Sequence, residues 1–465
     1  MSSTQVKAAS VSVPDSVLPY RDEDLPRLEP RYADLKKSII KPENVEKVKQ
    51  SYARLLKALD VEADRIKSLQ HKAIPECNYK DITENGNKLP ESLIAESKHS
   101  GCLIVRGVVD PETAIKWKDD LRAYALRHPK KVQSSSTYPY HWTPSQVQSR
   151  NHPDVLRVLN IASKLWQPSN DKVLVDLQSQ VVYSDRFRIR YPEDGEGTLP
   201  PHLDSSATER WEDPSYRSCY AKIFEGNWEE FDPWCVDQRL NAKLDLFKKS
   251  RSQSVFRSLK GWLALSQTNI GEGTLQLVPN IKLVTAYIML RPFFMQGIEN
   301  FDGESSVFPG CEPGRGQFFP TEKYHPHLRL QDTMVSIPPI NPGDFVFWHC
   351  DQVHMVDKIH AGPKGKDSSV VYIAVTPLCV ENIRNMIENR EGFKKCEPIA
   401  DFAHDTLTIK DGAEKDHTDH GARMENILSH EGMKGLGFAE YDENEAGITV
   451  GAKKVRRMAN EAMKR

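Results

Sequence analysis

Leu199-Pro200-Pro201-His202-Leu203-Asp204 and, far downstream, Gly343-Asp344-Phe345-Val346-Phe347-Trp348-His349-Cys350-Asp351-Gln352-Val353-His354 decide how this chain is read. Successive side chains of an extended segment alternate sides, so His202 and Asp204 share a face and Leu203 turns away. One more imidazole from a distant strand would complete two nitrogens and a carboxylate. That set holds non-haem Fe(II) on one face and leaves the opposite face open. An H-x-D triplet alone is weak evidence, because the chain has four, at 152–154, 202–204, 349–351 and 417–419. His152 immediately precedes a helical pattern, where Asp154 serves the helix dipole, and His417 lies in a polar tail remote from any strand. The second triplet follows a strand and the Pro-rich loop 192–201, the setting of a ligand at a barrel mouth.

Outward from these stretches, strand texture covers Val173–Val175, Val181–Tyr183 and Phe187–Tyr191, then resumes at 261–268 and 274–279. Gly271-Glu272-Gly273 between the last two has the turn chemistry of a hairpin. Met334–Pro338, Asp344–Trp348 and Val370–Val375 follow. Many short strands bounded by Gly and Pro predict a mainly β core, a barrel or sandwich, with helical flanks. Residues 1–30 are Ser-, Pro- and acid-rich, which predicts a disordered or extended start. From Arg31 to Leu69 apolar residues recur at helical spacing, with Pro42 as the break. Asp110 and Pro111 are the cap and first position of a helix through Leu126. Further helices are expected over Asp154–Leu165 and Val284–Leu290. The expected organisation is N-terminal helices within 1–95, a β domain over 96–380, and a C-terminal helical extension, 381–465, packed on the core. Residues 206–258, with Trp211, Trp228 and Trp234, read as an insertion with its own small aromatic core.

The net charge is −2, from 63 basic and 65 acidic residues in 465. That balance argues against nucleic acid or a charged membrane surface as partner. Eight cysteines without a C-x-x-C pair argue against a zinc ribbon or a disulfide framework and point to reduced thiols, hence a cytoplasmic setting. The first thirty residues lack the apolar run of a signal peptide, and no window approaches a membrane span. Oligomeric state stays open.

Gly343-Asp344, an apolar and aromatic strand, and a His ten positions after the Asp resemble the distal half of the Fe(II)/2-oxoglutarate-dependent oxygenases, in particular the phytanoyl-CoA-hydroxylase-like branch. Gly273-Thr274-Leu275 with Val278-Pro279 resembles a paired strand of that branch. The run PPHLD, ERW, FRSLKGWLALS, GEGTLQLVP, LRPFF, PGRGQ and WHCDQVH is similar to a fungal and bacterial family of unknown function related to these oxygenases, over roughly residues 95–400. The resemblance implies a double-stranded β-helix (jelly-roll or cupin-like) barrel. It also implies Fe(II) on His202, Asp204 and His354, 2-oxoglutarate and O2 as co-substrates, and oxidation of a small-molecule metabolite. His349 is the rival for the third ligand; otherwise it is a packed core histidine.

The family's co-substrate cation falls on the strand after the distal His, and here that strand carries Ser369 and Tyr372 where an Arg is expected. Lys364 and Lys366 lie in the preceding loop. Arg188 and Arg190 share a face of the strand feeding His202, and either meet an anion inside or point to solvent. Trp262, Tyr140 and Trp142 are candidates to line a pocket. The arginines at 188, 190, 210, 291 and 315 hint at an anionic metabolite, with surface solvation the ordinary explanation for most. Two other readings stay open: a cupin-like metalloenzyme without 2-oxoglutarate, favoured by the missing Arg, and a non-catalytic binding protein. Retention of two His and an Asp argues against the latter.

Overall fold

The structure, a computed structural model, describes residues 27–129, 136–197, 199–248, 253–403, 414 and 421–464. The expected disordered start and the His417–Asp419 triplet therefore lie largely or wholly outside the described residues. Fourteen strands carry the fold: β1 (Glu76–Asn78), β2 (Cys102–Arg106), β3 (Thr137–Tyr138), β4 (Val175–Gln180), β5 (Phe187–Arg190), β6 (Leu203–Asp204), β7 (Leu259–Ala264), β8 (Leu275–Leu277), β9 (Gln317–Phe318), β10 (Val335–Ser336), β11 (Phe345–His349), β12 (His354–Val356), β13 (Ser368–Tyr372) and β14 (Pro377–Cys379). They form a seven-stranded sheet ordered β1-β2-β11-β7-β13-β5-β3, a three-stranded sheet β10-β8-β12, and the pairs β14-β4 and β6-β9. The large sheet is mixed, since β1 runs parallel to β2 while the other neighbours are antiparallel.

Strand periodicity sorts the large sheet cleanly into two faces. Ile104, Trp262, Ala264, Val346, Trp348 and Val370 face the small sheet and pack with its Leu275, Leu277 and Val335. Leu103, Val105, Phe187, Ile189, Leu263, Phe345, Phe347 and Val371 face the other way, into the helix-covered core. Both layers are apolar because each face of the sheet is covered, which is why these strands read as continuous hydrophobic runs.

The helices follow their expected signals. Arg31–Ile39 and Val45–Leu69 are separated at Pro42, and the longer one buries Val48, Tyr52, Leu55, Leu59 and Ile66 along one stripe. Asp110 accepts a hydrogen bond from the Thr113 N–H and Pro111 opens the helix Pro111–Arg127. Val380–Lys395 and Val450–Met463 pack against each other through Ile383, Met386, Val455 and Ala459, so the basic tail is a folded helix on the core.

Several expectations are corrected. The molecule is mixed α/β rather than mainly β, and no closed barrel forms among the described residues. The predicted hairpin is no hairpin: β7 pairs with β11 and β13, whereas β8 pairs with β10 and β12. The glycine turn at 271–273 carries the chain from one sheet to the facing one. Val181–Tyr183 is not a strand; the strand lies just before it, at β4. Among the described residues of the segment 206–258 no separate core forms. Trp211, Tyr216, Tyr220 and Phe231 join the cluster built on the N-terminal helices, and Trp234 and Phe256 join the main core.

Candidate metal centre

His202 and His354 are brought together by the backbone before any side chain acts. The His202 N–H donates to the His354 carbonyl and the His354 N–H to the His202 carbonyl, each at 3.0 Å. This reciprocal pair sets the two residues directly opposite each other. Asp204, two residues on, then falls beside both imidazoles. Its carboxylate oxygens lie 3.3 Å from His202 Nε2 and 3.6 Å from His354 Nε2. The potential ligand atoms of all three residues lie within 4.8 Å of one another.

Tautomers follow from the partners. His202 Nδ1 is 2.8 Å from the Pro200 carbonyl and His354 Nδ1 is 3.0 Å from the Gln352 carbonyl. A carbonyl only accepts, so each Nδ1 carries the proton and each Nε2 presents a lone pair. Two lone pairs and a carboxylate thus converge on one point, and only something positive among them, a proton or a metal ion, holds such an arrangement together. The imidazole side chains are 3% and 7% exposed, while Asp204 keeps 25%. The site is walled on its nitrogen side and reachable on its oxygen side.

Neighbours fix the donors in place. Gln317 on β9 donates from Nε2 to Asp204 Oδ1 at 3.0 Å. The Trp348 ring lies 5.1 Å from the His354 ring. Burial pushes Asp204 upward, but the nearby Lys260 ammonium works against it and the carboxyl is held well below its ordinary range. Burial, reinforced by His202, lowers His354. Both effects favour the deprotonated forms that ligate metals.

Not every expected residue lies here. His349 is packed in the core: its Nε2 is 3.0 Å from the Pro233 carbonyl and its ring stacks on Trp166 at 4.8 Å. With Cys350 and Asp351 it forms a second cluster of ligand-type residues, but Asp351 is ion-paired with Arg210 and Arg239 and accepts from Tyr220. Arg188 and Arg190 both point inward, 5% and 1% exposed, so neither faces solvent. Arg190 is engaged by the Asp357 and Lys358 carbonyls at 2.6 and 2.7 Å. Arg188 donates to the Gly273 carbonyl at 3.1 Å, while its buried Nε has no partner. Ser369 sits on the opposite face, donating to Asp367 at 2.6 Å, so it points away from the centre. Tyr372 shares the inner face with Trp262, its register partner. Trp262 belongs to the layer between the sheets, whereas Tyr140 and Trp142 are buried in the main core behind the large sheet. Lys366 pairs with Glu272, Arg291 with the Tyr324 and Phe294 carbonyls, and Arg315 with Glu312.

Three polar neighbours escaped the sequence reading: Gln317, Ser205 and Lys260. Lys260 is 4% exposed and its Nζ is 4.0 Å from Asp204 Oδ2. Its position two residues before Trp262 was the available signal, since period two puts both on one face.

Comparison with known proteins gives the family of the chain. The Gig2-like family model matches residues 26–438, and the chain belongs to that family. GlcNAc Inducible Gene 2, GIG2, of Candida albicans is 36% identical with a TM-score of 0.86, covering 95% of this chain and 96% of that one. A hypothetical Escherichia coli protein of known structure is 26% identical with a TM-score of 0.74, covering 87% and 96%. The uncharacterized protein YbiU of Escherichia coli K12 is 30% identical over 345 residues, 70% of this chain and 78% of YbiU. Among the described residues no helix is long and apolar enough to cross a membrane.

Proposed function

We propose that this Gig2-like chain is a non-haem Fe(II)- and 2-oxoglutarate-dependent oxygenase that oxidises a small-molecule metabolite. The observation that carries the reading is the convergence of two Nε2 lone pairs and one carboxylate, both imidazoles being held by carbonyls at Nδ1. His202, Asp204 and His354 would hold the iron, which matches the two-nitrogen, one-oxygen donor set of such centres. Bound there, Fe(II) with 2-oxoglutarate and O2 supplies oxidising power, with succinate and CO2 as co-products.

The chain's own residues have separate tasks in this reading. Gln317 orients Asp204, and Trp348 supports His354. Arg188, inward-facing with a partnerless Nε, is placed to take the far carboxylate of 2-oxoglutarate; Arg190 braces the loop after β12 from the same face. Arg188 Nη2 lies 3.4 Å from the Ser368 hydroxyl, so a cation from β5 stands beside the inward side of β13, one residue from the Ser369 at which the resemblance led one to expect an Arg. Trp262 and Tyr372 on the same inner face exclude water. The antiparallel set β5-β13-β7-β11 faces β10-β8-β12, to which β6 is joined through the His202–His354 bridge. That arrangement supports a double-stranded β-helix.

A second reading, a metalloenzyme that does not use 2-oxoglutarate, is favoured by one observation: the inward positions of β13 are Ser368, Val370 and Tyr372, none cationic. Anaerobic titration separates the two. Fe(II) followed by 2-oxoglutarate should produce the weak charge-transfer band of a chelated 2-oxo acid. Arg188→Ala should weaken 2-oxoglutarate at least about tenfold, near 1.4 kcal/mol, with iron affinity little changed. Absence of the band at saturation would replace the first reading with the second.

A further inference from the structure

We propose that Lys260 and Arg257 form an anion site beside the metal centre that takes a carboxylate of the primary substrate. The inference rests on the oxygenase reading and names the substrate class for it. Lys260 begins the inner row of β7, and Arg257 lies three residues earlier; they are 4% and 8% exposed. Both donate to one neutral oxygen, Ser205 Oγ, at 2.5 Å from Lys260 Nζ and 3.0 Å from Arg257 Nη2. With both lone pairs occupied, the Ser205 hydroxyl proton is directed to an acceptor other than these cations. Arg257 Nε is buried without a partner.

The charges around this pair do not balance. Lys260 has Asp204 at 4.0 Å, but that carboxylate would be committed to iron. Arg257 has Asp185 at 3.6 Å, and Asp185 is also held by Arg186 through its backbone N–H and Nε. With Asp204 given to a divalent metal, the two buried cations would be left with Asp185, which Arg186 shares, and would need a further negative charge. Ser205 itself has φ 77°, a left-handed conformation costly for a residue with a Cβ. That strain turns its hydroxyl onto the two cations directly after the ligand Asp204.

The site is separate from Arg188. Arg188 is in register with Val370, and Val370 with Ala264, four residues along β7 from Lys260. The two cationic positions are therefore about 13 Å apart along the strands and two strand spacings, about 10 Å, apart across the sheet. One molecule's far carboxylate at Arg188 therefore leaves Lys260 and Arg257 for a second molecule.

The test loads the full chain anaerobically with Fe(II) and 2-oxoglutarate and uses acetate as the probe, against chloride at matched ionic strength. Acetate is followed by broadening of its methyl resonance by the paramagnetic iron, and separately by the Tm rise it produces in the metal-free protein. Both signals are expected in the wild type and should fall at least about fivefold in Lys260→Met and Arg257→Gln, with Lys260→Arg largely retaining them. Affinity for 2-oxoglutarate should stay within about threefold throughout. Acetate signals absent from the wild type, or untouched by both substitutions, would overturn the proposal. A loss of 2-oxoglutarate affinity above about tenfold in Lys260→Met would overturn it too, by giving the pair to the co-substrate. Failure of the oxygenase reading shows up differently, as no iron binding by the wild type, and the metal-free Tm measurement still decides the anion site.

Discussion

Two clusters in this molecule draw on the same residue types, and both contain an H-x-D triplet. At 202, 204 and 354 the imidazoles turn their Nε2 lone pairs toward a carboxylate that remains partly exposed. At 349–351 the imidazole is capped at Nε2 by the Pro233 carbonyl, and the carboxylate lies between Arg210 and Arg239 with Tyr220 and Tyr216 against it. Burial would raise Asp351, but the two guanidiniums hold it well below its ordinary range. The first cluster converges acceptors and needs a cation; the second already contains its cations. Residue type alone therefore does not make a metal site. The orientation of the donors, set by what holds their other ends, does.

That contrast can be broken by one kind of substitution made in both places. Asp351→Asn should give the largest effect, about 3–5 kcal/mol of lost stability, because two buried guanidiniums lose their shared counter-charge; chemical denaturation measures it, and a loss below 1 kcal/mol would undo the assignment of this cluster as structural. Asp204→Asn should instead cost metal, with Fe(II) affinity down more than about 100-fold, near 2.7 kcal/mol. Its metal-free Tm should fall far less than that of Asp351→Asn. Equal destabilisation at the two positions would erase the distinction.

A more gradual effect sharpens the comparison through pH. Burial pushes His349 down to about 3, and also His141 and His325. Their folded values lie below the unfolded value near 6.5, so the stability each confers is complete above about pH 6.5 and is lost as pH falls toward 3. Each contributes a slope of up to about 1.4 kcal/mol per pH unit within that window. Unfolding of the metal-free protein between pH 7 and 4 should show this loss, and His349→Gln should flatten it by one residue's share. An unchanged slope would mean that His349 is not held neutral.

Much of the local architecture was legible in the sequence because it is locally determined. Pro42, Asp110 and Pro111 mark helix boundaries through their own backbone chemistry, and alternation in 187–191 correctly put Arg188 and Arg190 on one face. The choice of His354 over His349 as the residue near Asp204 came from the family resemblance, through the His ten positions after Asp344. What stayed illegible depends on partners distant in the chain. A glycine turn at 271–273 serves equally well for a hairpin and for a crossing between facing sheets, and only the pairing of β8 with β12 distinguishes them. Trp211 and Trp234 are equally aromatic, yet fall into different cores. Ser369 and Tyr372 are three residues apart on β13, so the strand's pleat turns them to opposite faces and only one meets the inner layer. Lys260 was hidden by its type: a lysine at a strand start reads as solvated until its neighbours Ser205 and Asp204, from another sheet, are known.

The reciprocal backbone bond between His202 and His354 has a consequence for how the protein is made. The two residues are about 150 positions apart, and closing so long a loop comes late compared with helix and hairpin formation. A nascent chain still short of residue 354 offers two of the three donors and no second wall. Synthesis must pass most of the sequence before the pocket of acceptors exists; on the iron reading proposed above, the growing polypeptide would be kept from holding a redox-active ion while its sulfurs and aromatics remain uncovered.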